Sequence, residues 1–162
     1  MILVDVTILI YATNAESDQH AESRDWLDGK LSGPAPVGLP CSTREWCCGR
    51  PGKILRQAAQ AIKRASSVYI SSVSVFEIAL KASIGKLNIP FREFEVRLAT
   101  SSGAQRLSLT WEHACSSYDI ATAHADPFDC LLLAQAIVEP LYLLSTDENL
   151  ARYGGEFVMF VD

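Results

Sequence analysis

The chain has 162 residues and a mass of 17.7 kDa, a length typical of one domain. Hydrophobic residues make up 49% of it and charged residues 20%, which excludes wholesale disorder. With 14 basic and 19 acidic residues, the formal net charge is −5, and this argues against a protein that coats nucleic acid by bulk attraction. A protein that handles nucleic acid through bound metal ions is not excluded, because clustered carboxylates would contribute to that acidity.

The apolar start and the cysteines bear on the cellular compartment. No apolar run approaches the roughly 18 residues of a membrane span. Residues 1–12 carry Asp5 and lack both a basic n-region and a small-residue cleavage site, so we expect a strand and not a signal peptide. Five cysteines is an odd number, and a disulfide between the adjacent Cys47 and Cys48 would be strained. We therefore expect a reduced, cytoplasmic protein with no membrane partner. A metal site at Cys41, Cys47 and Cys48 would lack a second Cys/His cluster.

Strand and helix patterns alternate along the chain. Near-continuous apolar character over 2–12 predicts a strand buried on both faces, and a helical pattern over 14–31 ends at the Gly- and Pro-containing break 32–36. Further helices are predicted over 54–65, 75–84, 91–101, 110–124, 128–138 and 148–153, and further strands over 68–72, 104–109, 141–145 and 157–161. This alternation predicts one α/β domain over 1–162, with three α/β/α layers and a central, mainly parallel sheet.

Five acids lie where predicted strands end or predicted helices begin. Asp5 lies in an apolar strand, where a carboxylate is costly unless it is paired or metal-bound. Asp126 and Asp129 are three positions apart at a helix start, so they can share one face. Asp147 follows the strand over 141–145, and Glu77 is in the first turn of a helix that follows another strand. Since sites of parallel sheets lie beyond the carboxyl ends of the strands, these acids predict a site for hard divalent cations.

Each acid also has a structural interpretation. Ser74 is predicted to cap the helix over 75–84, which gives Glu77 the spacing of a capping-box acid, and Gly85 is predicted to close that helix at the C′ position. Asp126 and Asp129 would be favoured at a helix N-terminus by the helix dipole, and Asp147 could be a turn residue or cap. The metal site is predicted by the five acids together and not by any one of them.

Two segments carry a resemblance to a known family. The sequences VYISSVSVFEIALKASIGKL (68–87) and HADPFDCLLLAQAIVEPLYLLSTDENLARYG (124–154) closely resemble PIN-domain proteins, specifically VapC-type toxin ribonucleases of type II toxin–antitoxin systems. The resemblance runs from about residue 54 to the end of the chain, and the apolar start with its Asp5 resembles the first strand of the same superfamily.

The resemblance implies a function, a metal and partners. It implies Mg²⁺ or Mn²⁺ on the acids, hydrolysis of RNA phosphodiester bonds, a cognate antitoxin and a homodimer. The four acids expected to carry both metal and catalysis are Asp5, Glu77, Asp129 and Asp147, with Asp126 as an auxiliary metal ligand. Lys81 and Lys86 are candidates for contacts to RNA phosphates, although a solvated face explains them as well. His113 and His124 are interpreted as surface or helix-end residues.

Two departures from the family pattern keep other functions open. The family usually has Thr or Ser directly after the first Asp, where this chain has Val6, and Thr7 would point to the opposite face of a strand. This favours the alternative of a catalytically degenerate protein that binds antitoxin as a decoy. A phosphatase of the haloacid-dehalogenase kind would need a second Asp where Thr7 stands.

The second departure is the separation of 72 positions between Asp5 and Glu77, which is wide for the family. Residues 13–53 form an atypical segment, predicted as a helix followed by an irregular loop that includes CSTREWCCGRPGK. With suitable codons, a one-base shift converts this stretch into an apolar strand that contains Asp-Thr. We therefore hypothesise a fusion of two toxin fragments with a frame change, and the alternative is an ordinary insertion.

Overall fold

The computed structural model describes residues 1–13, 51–100, 103–121 and 126–161. Several predictions lie outside these ranges: the helix over 14–31, the break at 32–36, the cysteines at 41, 47 and 48, and His124. Most of the atypical segment 13–53 is likewise not described, but residue 13 ends one helix and residues 51–53 begin another.

A parallel sheet of five strands organises the described residues. In chain order the strands are β1 (Ile2–Val4), β2 (Val68–Ser71), β3 (Ala104–Leu107), β4 (Tyr142–Ser145) and β5 (Val158–Phe160). Their order in the sheet is β3-β2-β1-β4-β5, and every neighbouring pair is parallel. Leu3 of β1 lies opposite Tyr69 on one side and Leu143 on the other. The predicted α/β class with a parallel sheet is confirmed, and the N-terminal strand lies at its centre.

Helices connect the strands and cover the sheet. They are α1 (Val6–Thr13), α2 (Pro51–Arg64), α3 (Ser72–Ser83), α4 (Phe91–Thr100), α5 (Trp111–Ala121), α6 (Pro127–Val138) and α7 (Glu148–Gly154), with a 3₁₀ turn at Gly155–Phe157. Among the described helices, none combines the length and the apolar character that crossing a bilayer requires.

The described residues form two apolar core clusters, because side chains of a strand alternate between its faces. Ile2 and Val4 of β1 belong to one cluster, whose buried members include residues of α1, α2 and α4. Leu3 belongs to the other, which includes Leu132 of α6 and Leu150 of α7. Full burial of such a side chain contributes about 1.5–3 kcal/mol. The two clusters pack the helices against the two faces of the sheet, which gives the three layers that the alternation of elements predicts.

The strand predicted over 2–12 is wrong beyond Val4. The chain enters α1 directly after Asp5, whose carbonyl oxygen accepts from the Leu9 N–H at 3.1 Å. A helix buried on several sides is apolar all round, so its sequence resembles that of a buried strand. Val6 and Thr7 are therefore consecutive residues in the first turn of a helix, and the expectation that they face opposite sides of a strand is also wrong.

The predicted start of the Glu77-bearing helix is also wrong. Ser71 is the N-cap of α3, and its hydroxyl oxygen accepts from the Val73 N–H at 2.9 Å. The helix therefore begins at Ser72, which places Glu77 in its second turn and excludes the capping-box spacing from Ser74. At the other end, Gly85 has a φ of +73° and follows the C-cap residue, as predicted.

His113 lies at a helix end, one of the two places that the sequence interpretation gave, but it is buried and not at the surface. It lies in the first turn of α5, where its Nδ1 atom accepts from the Thr110 N–H at 3.1 Å. Its Nε2 atom is 3.2 Å from Oε1 of Glu139 without a hydrogen bond between them. The ring thus helps to cap α5 from inside the protein.

Candidate active site

Three of the predicted acids follow the three central strands. Asp5 comes directly after β1, Asp147 comes two residues after β4, and Glu77 lies on α3, which begins where β2 ends. Since β1 lies between β2 and β4 and all three are parallel, these acids lie toward the same edge of the sheet. Asp129 is in the first turn of α6, the helix that precedes β4.

Asp5 occupies a buried site with two hydrogen-bond donors. It is 4% exposed, its Oδ1 accepts from the Val6 N–H at 2.6 Å, and its Oδ2 accepts from the Ser145 hydroxyl at 2.6 Å. Burial raises the pKa of Asp5 from 3.8 to about 7, and the negative charges of Asp129 and Glu77 add to this rise against the lowering effect of the two hydrogen bonds. The carboxylate that follows β1 thus interacts electrostatically with the carboxylates of Glu77 on α3 and Asp129 on α6.

Ser145 is a functional candidate that the sequence reasoning missed. Its fully buried hydroxyl donates to Asp5 and accepts from the Asp147 N–H at 3.1 Å. One side chain therefore links the acids that follow β1 and β4. Ser145 also gives Asp5 a hydroxyl contact in a chain that has Val6 where the family usually has Thr or Ser. The available signal was a polar residue at the end of the apolar run LYLLS, two positions before an Asp.

Glu77 is paired within its own helix. It is buried, and its carboxylate forms an ion pair with Lys81, one turn further along α3. The sequence indicated Lys81 as a contact to RNA phosphates or as part of a solvated face, whereas in the structure its ammonium contacts a predicted metal ligand. One turn before Glu77, Ser74 is fully buried, and its hydroxyl oxygen has no hydrogen-bond partner among the described residues.

Asp126 and Asp147 both cap helices. Asp126 is exposed, and its Oδ1 accepts from the Phe128 N–H at 2.9 Å as the N-cap of α6. Asp147 is half-buried, and its Oδ1 accepts from the Asn149 N–H at 2.7 Å as the N-cap of α7. Asp147 thus has the capping role that the sequence offered as an alternative, and Asp126 lies at a helix N-terminus, as its structural interpretation predicted. The charges that raise the pKa of Asp5 are those of Asp129 and Glu77, and Asp126 is not among them.

The donor chemistry of the site fits a hard divalent cation, because carboxylate and hydroxyl oxygens are the ligands that Mg²⁺ and Mn²⁺ prefer. The pKa of Asp5 is raised chiefly by burial, and the Asp129 and Glu77 charges add to the rise; such a cation would offset these negative charges. As they stand, the described side chains include no group of three or more His, Cys, Asp or Glu residues that could hold a metal ion. Asp5, Glu77, Asp126 and Asp147 each have an oxygen bonded to a protein donor: the Ser145 hydroxyl, the Lys81 ammonium, the Phe128 N–H and the Asn149 N–H, respectively.

A second buried polar network joins the two helices that carry Glu77 and Asp129. The Ser71 hydroxyl donates to Oε1 of Gln135 at 2.5 Å, and Nε2 of Gln135 donates to the Ser108 carbonyl at 3.3 Å. Ser71 caps α3 and Gln135 belongs to α6, and both are fully buried. The sequence reasoning missed Gln135 too, although it is the one polar residue in the run LLLAQAIV.

Comparisons with known proteins agree with this architecture. Ribonuclease VapC37 of Mycobacterium tuberculosis is 50% identical over 39 residues, which is 24% of this chain and 27% of that ribonuclease. A toxin–antitoxin complex from Klebsiella pneumoniae is similar in structure, with a TM-score of 0.55, 17% identity and coverage of 98% of this chain and 96% of that chain. VapBC2 from Rickettsia felis, bound to a DNA fragment from its promoter, has a TM-score of 0.58, 15% identity and full coverage of both chains. At these identities the two structures establish a shared fold.

A sequence model of the PIN domain matches residues 51–156. The matched segment contains the acids on α3 and α6 and the one that follows β4, and β1 with Asp5 precedes it. Because this segment is well over half of the 162 residues, the chain belongs to the PIN domain family.

Proposed function

We propose that this chain is a metal-dependent endoribonuclease and the toxin of a toxin–antitoxin pair. The observation that carries the proposal is the buried Asp5 carboxylate, whose pKa is raised to about 7 by burial and by the charges of Asp129 and Glu77. Membership of the PIN family and the similarity to a ribonuclease support the reaction. The similarity to two toxin–antitoxin complexes supports an antitoxin as the protein partner.

The proposed cofactor is Mg²⁺ or Mn²⁺, held by Asp5, Glu77, Asp129 and Asp147. Such an ion supplies Lewis-acid chemistry: it lowers the pKa of a water molecule and offsets negative charge on a phosphodiester. The protein's own contribution is orientation. Ser145 and the Val6 N–H hold both oxygens of Asp5, and the Ser145 hydroxyl fixes the backbone at Asp147. For Asp126 we retain at most an auxiliary role, since one of its oxygens caps α6.

The partners follow from the same proposal. The substrate is RNA, the protein partner is a small antitoxin that covers the acidic groove, and the toxin is a cytoplasmic homodimer built from one domain over 1–162. The net charge of −5 fits this scheme, because the metal ions and not the surface charge would attract the RNA phosphates.

Cleavage of a mixed RNA pool tests the function. Purified wild-type protein with Mg²⁺ or Mn²⁺ is expected to cut RNA, and EDTA and the variant Asp129→Asn are each expected to abolish cutting. The matched control is Lys63→Met, because Lys63 is exposed near the end of α2 and precedes β2, at the edge of the sheet opposite the acids. Cutting that survives both EDTA and Asp129→Asn would contradict the proposal.

A catalytically degenerate decoy that binds antitoxin is the second candidate. It is favoured by Val6 and by the lack, among the described residues, of three acids arranged to hold a metal ion. A folded wild-type protein that captures antitoxin but cuts no RNA with either metal would establish this alternative. Substitution Val6→Thr would then test whether the missing hydroxyl alone explains the lost activity.

A further inference from the structure

Lys81 is the cation that the fold places on Glu77. Both residues are on α3, four positions apart, so they lie on the same face of the helix. The Lys81 ammonium pairs with Oε1 of Glu77, and the two side chains are only 23% and 10% exposed. A Glu that precedes Lys by four positions is the favourable order for such a pair in a helix.

The pair is part of the acid cluster and not an isolated surface contact. The Glu77 charge also acts on Asp5, which in turn interacts with Asp129. The Lys81 ammonium therefore contacts one of two carboxylates whose charges repel that of Asp5. In such a partly buried site, charges interact more strongly than in bulk water. One positive charge in contact with Glu77 therefore reduces the electrostatic repulsion between the acids of this site.

We propose that Lys81 is a built-in counter-ion of Glu77, which a divalent cation must displace in order to bind there. Lys81 thereby sets the affinity of the site for metal. This inference rests on the metal site of the proposed function. It assigns Lys81 the role of a counter-ion that competes with metal for Glu77, where the sequence had indicated a contact to RNA or a solvated face.

The Lys81 contact to Glu77 differs from the contacts that hold Asp5 in a way that suits displacement. Asp5 is held by a backbone N–H and a buried hydroxyl, which are fixed parts of the fold. Lys81 has a flexible four-carbon stem, and its ammonium is the more exposed member of the pair. The stem can stay packed while the charge moves toward water, so releasing Glu77 requires no rearrangement of α3.

Mn²⁺ binding, measured by electron paramagnetic resonance or calorimetry in the absence of RNA, tests the inference. The variant Lys81→Met keeps the apolar stem and removes the charge. It is expected to bind Mn²⁺ roughly threefold to tenfold more tightly than wild type, the range expected for one partly exposed charge pair. Lys81→Arg should bind within about twofold of wild type because it retains the charge. Lys63→Met reports the effect of removing a distant charge and should leave the affinity unchanged.

Stability without metal gives an independent readout. In EDTA, Lys81→Met should unfold at a lower urea concentration than wild type, because Glu77 then loses its counter-ion. In a Glu77→Gln background the same substitution should have no such effect. This cycle separates loss of the ion pair from loss of packing by the stem.

The outcomes separate the inference from the proposed function. Wild type that binds Mn²⁺, with Asp129→Asn that does not, supports the metal site. If Lys81→Met then binds Mn²⁺ no more tightly than wild type, the counter-ion role is overturned while the metal site stands. If folded wild type binds no Mn²⁺, the metal site fails and the inference fails with it.

Discussion

At the scale of single residues, Asp5 shows the conflict between function and folding most clearly. A buried carboxylate loses hydration, and the hydrogen bonds from Ser145 and the Val6 N–H replace only part of it. Burial therefore raises the pKa of Asp5 to about 7 in the folded protein, compared with 3.8 ordinarily, and the Asp129 and Glu77 charges add to the rise. Between these two pH values the folded state holds more protons on Asp5 than the unfolded state does.

The sign of the resulting pH dependence follows from linkage. Because the unfolded state binds fewer protons in this range, ionisation of Asp5 lowers the free energy of unfolding as the pH rises from about 4 to about 7. The variant Asp5→Asn cannot ionise. In EDTA we expect it to match wild type near pH 4.5 and to exceed it at pH 8 by roughly 2–4 kcal/mol, at about 1.4 kcal/mol per pKa unit.

Urea denaturation of both proteins at several pH values measures this difference. The control is Asp147→Asn, since one oxygen of Asp147 caps α7 and the residue is only half-buried. A stability difference between Asp5→Asn and wild type that stays constant from pH 4.5 to pH 8 would show that Asp5 does not titrate in this range.

At the scale of elements, the start of α6 separates capping from metal binding. Asp126 caps the helix, whereas Asp129, three positions later, acts on Asp5. Asp126→Ala should lower the free energy of unfolding by about 0.5–2 kcal/mol through loss of the cap, and should change Mn²⁺ affinity little. Asp129→Asn should abolish Mn²⁺ binding with a smaller effect on stability. Equal losses of Mn²⁺ affinity in the two variants would make Asp126 a full metal ligand.

The buried contact between α6 and the start of α3 gives a second prediction at this scale. Gln135→Leu removes the acceptor of the Ser71 hydroxyl and the donor to the Ser108 carbonyl. We expect a loss of about 1–3 kcal/mol in the free energy of unfolding, because polar groups remain buried without these partners. Gln60→Leu, an exposed substitution of the same type on α2, should change stability by less than about 0.5 kcal/mol. Similar losses in both variants would contradict this role of the network.

The elements also show what sequence reasoning can and cannot reach. Asp126-Pro127 predicted the start of α6 correctly, because an Asx cap followed by Pro is a specific local signal. The stretch over 6–12 is wrongly predicted as strand because a buried helix and a buried strand have the same apolar composition. Ser71 and Ser74 are both plausible caps in the sequence SSVS, and only the length of β2 decides between them.

At the scale of the whole molecule, the central position of β1 brings together distant parts of the chain. β1 pairs with β2, more than 60 positions away, and with β4, more than 130 positions away. Sequence patterns predicted the strands and the acids separately. They could not show that the Ser145 hydroxyl donates to Asp5, or that the Glu77 carboxylate contacts the Lys81 ammonium and not solvent. Those contacts depend on tertiary packing.

The central position of β1 in the sheet also bears on the origin of the chain. The PIN match begins at residue 51, yet the strand that completes the centre of the sheet lies at residues 2–4. This arrangement is compatible with a fusion of two toxin fragments and with an insertion between the first strand and the rest of the domain. The fusion hypothesis predicts that the coding DNA of 41–53 encodes, in another frame, an apolar strand containing Asp-Thr. A DNA sequence without such a frame would contradict it.

The central claim is that the N-terminal strand supplies Asp5 to the acid cluster of an active PIN nuclease. The most direct measurement is the rate of RNA cleavage with Mn²⁺ by wild type and by Asp5→Asn, both shown to be folded at the pH of the assay. We predict that Asp5→Asn is slower by on the order of a hundredfold or more, since the loss of a metal ligand removes several kcal/mol of transition-state stabilisation. Equal cleavage rates for the two proteins would contradict the claim, because the active site would then not require Asp5.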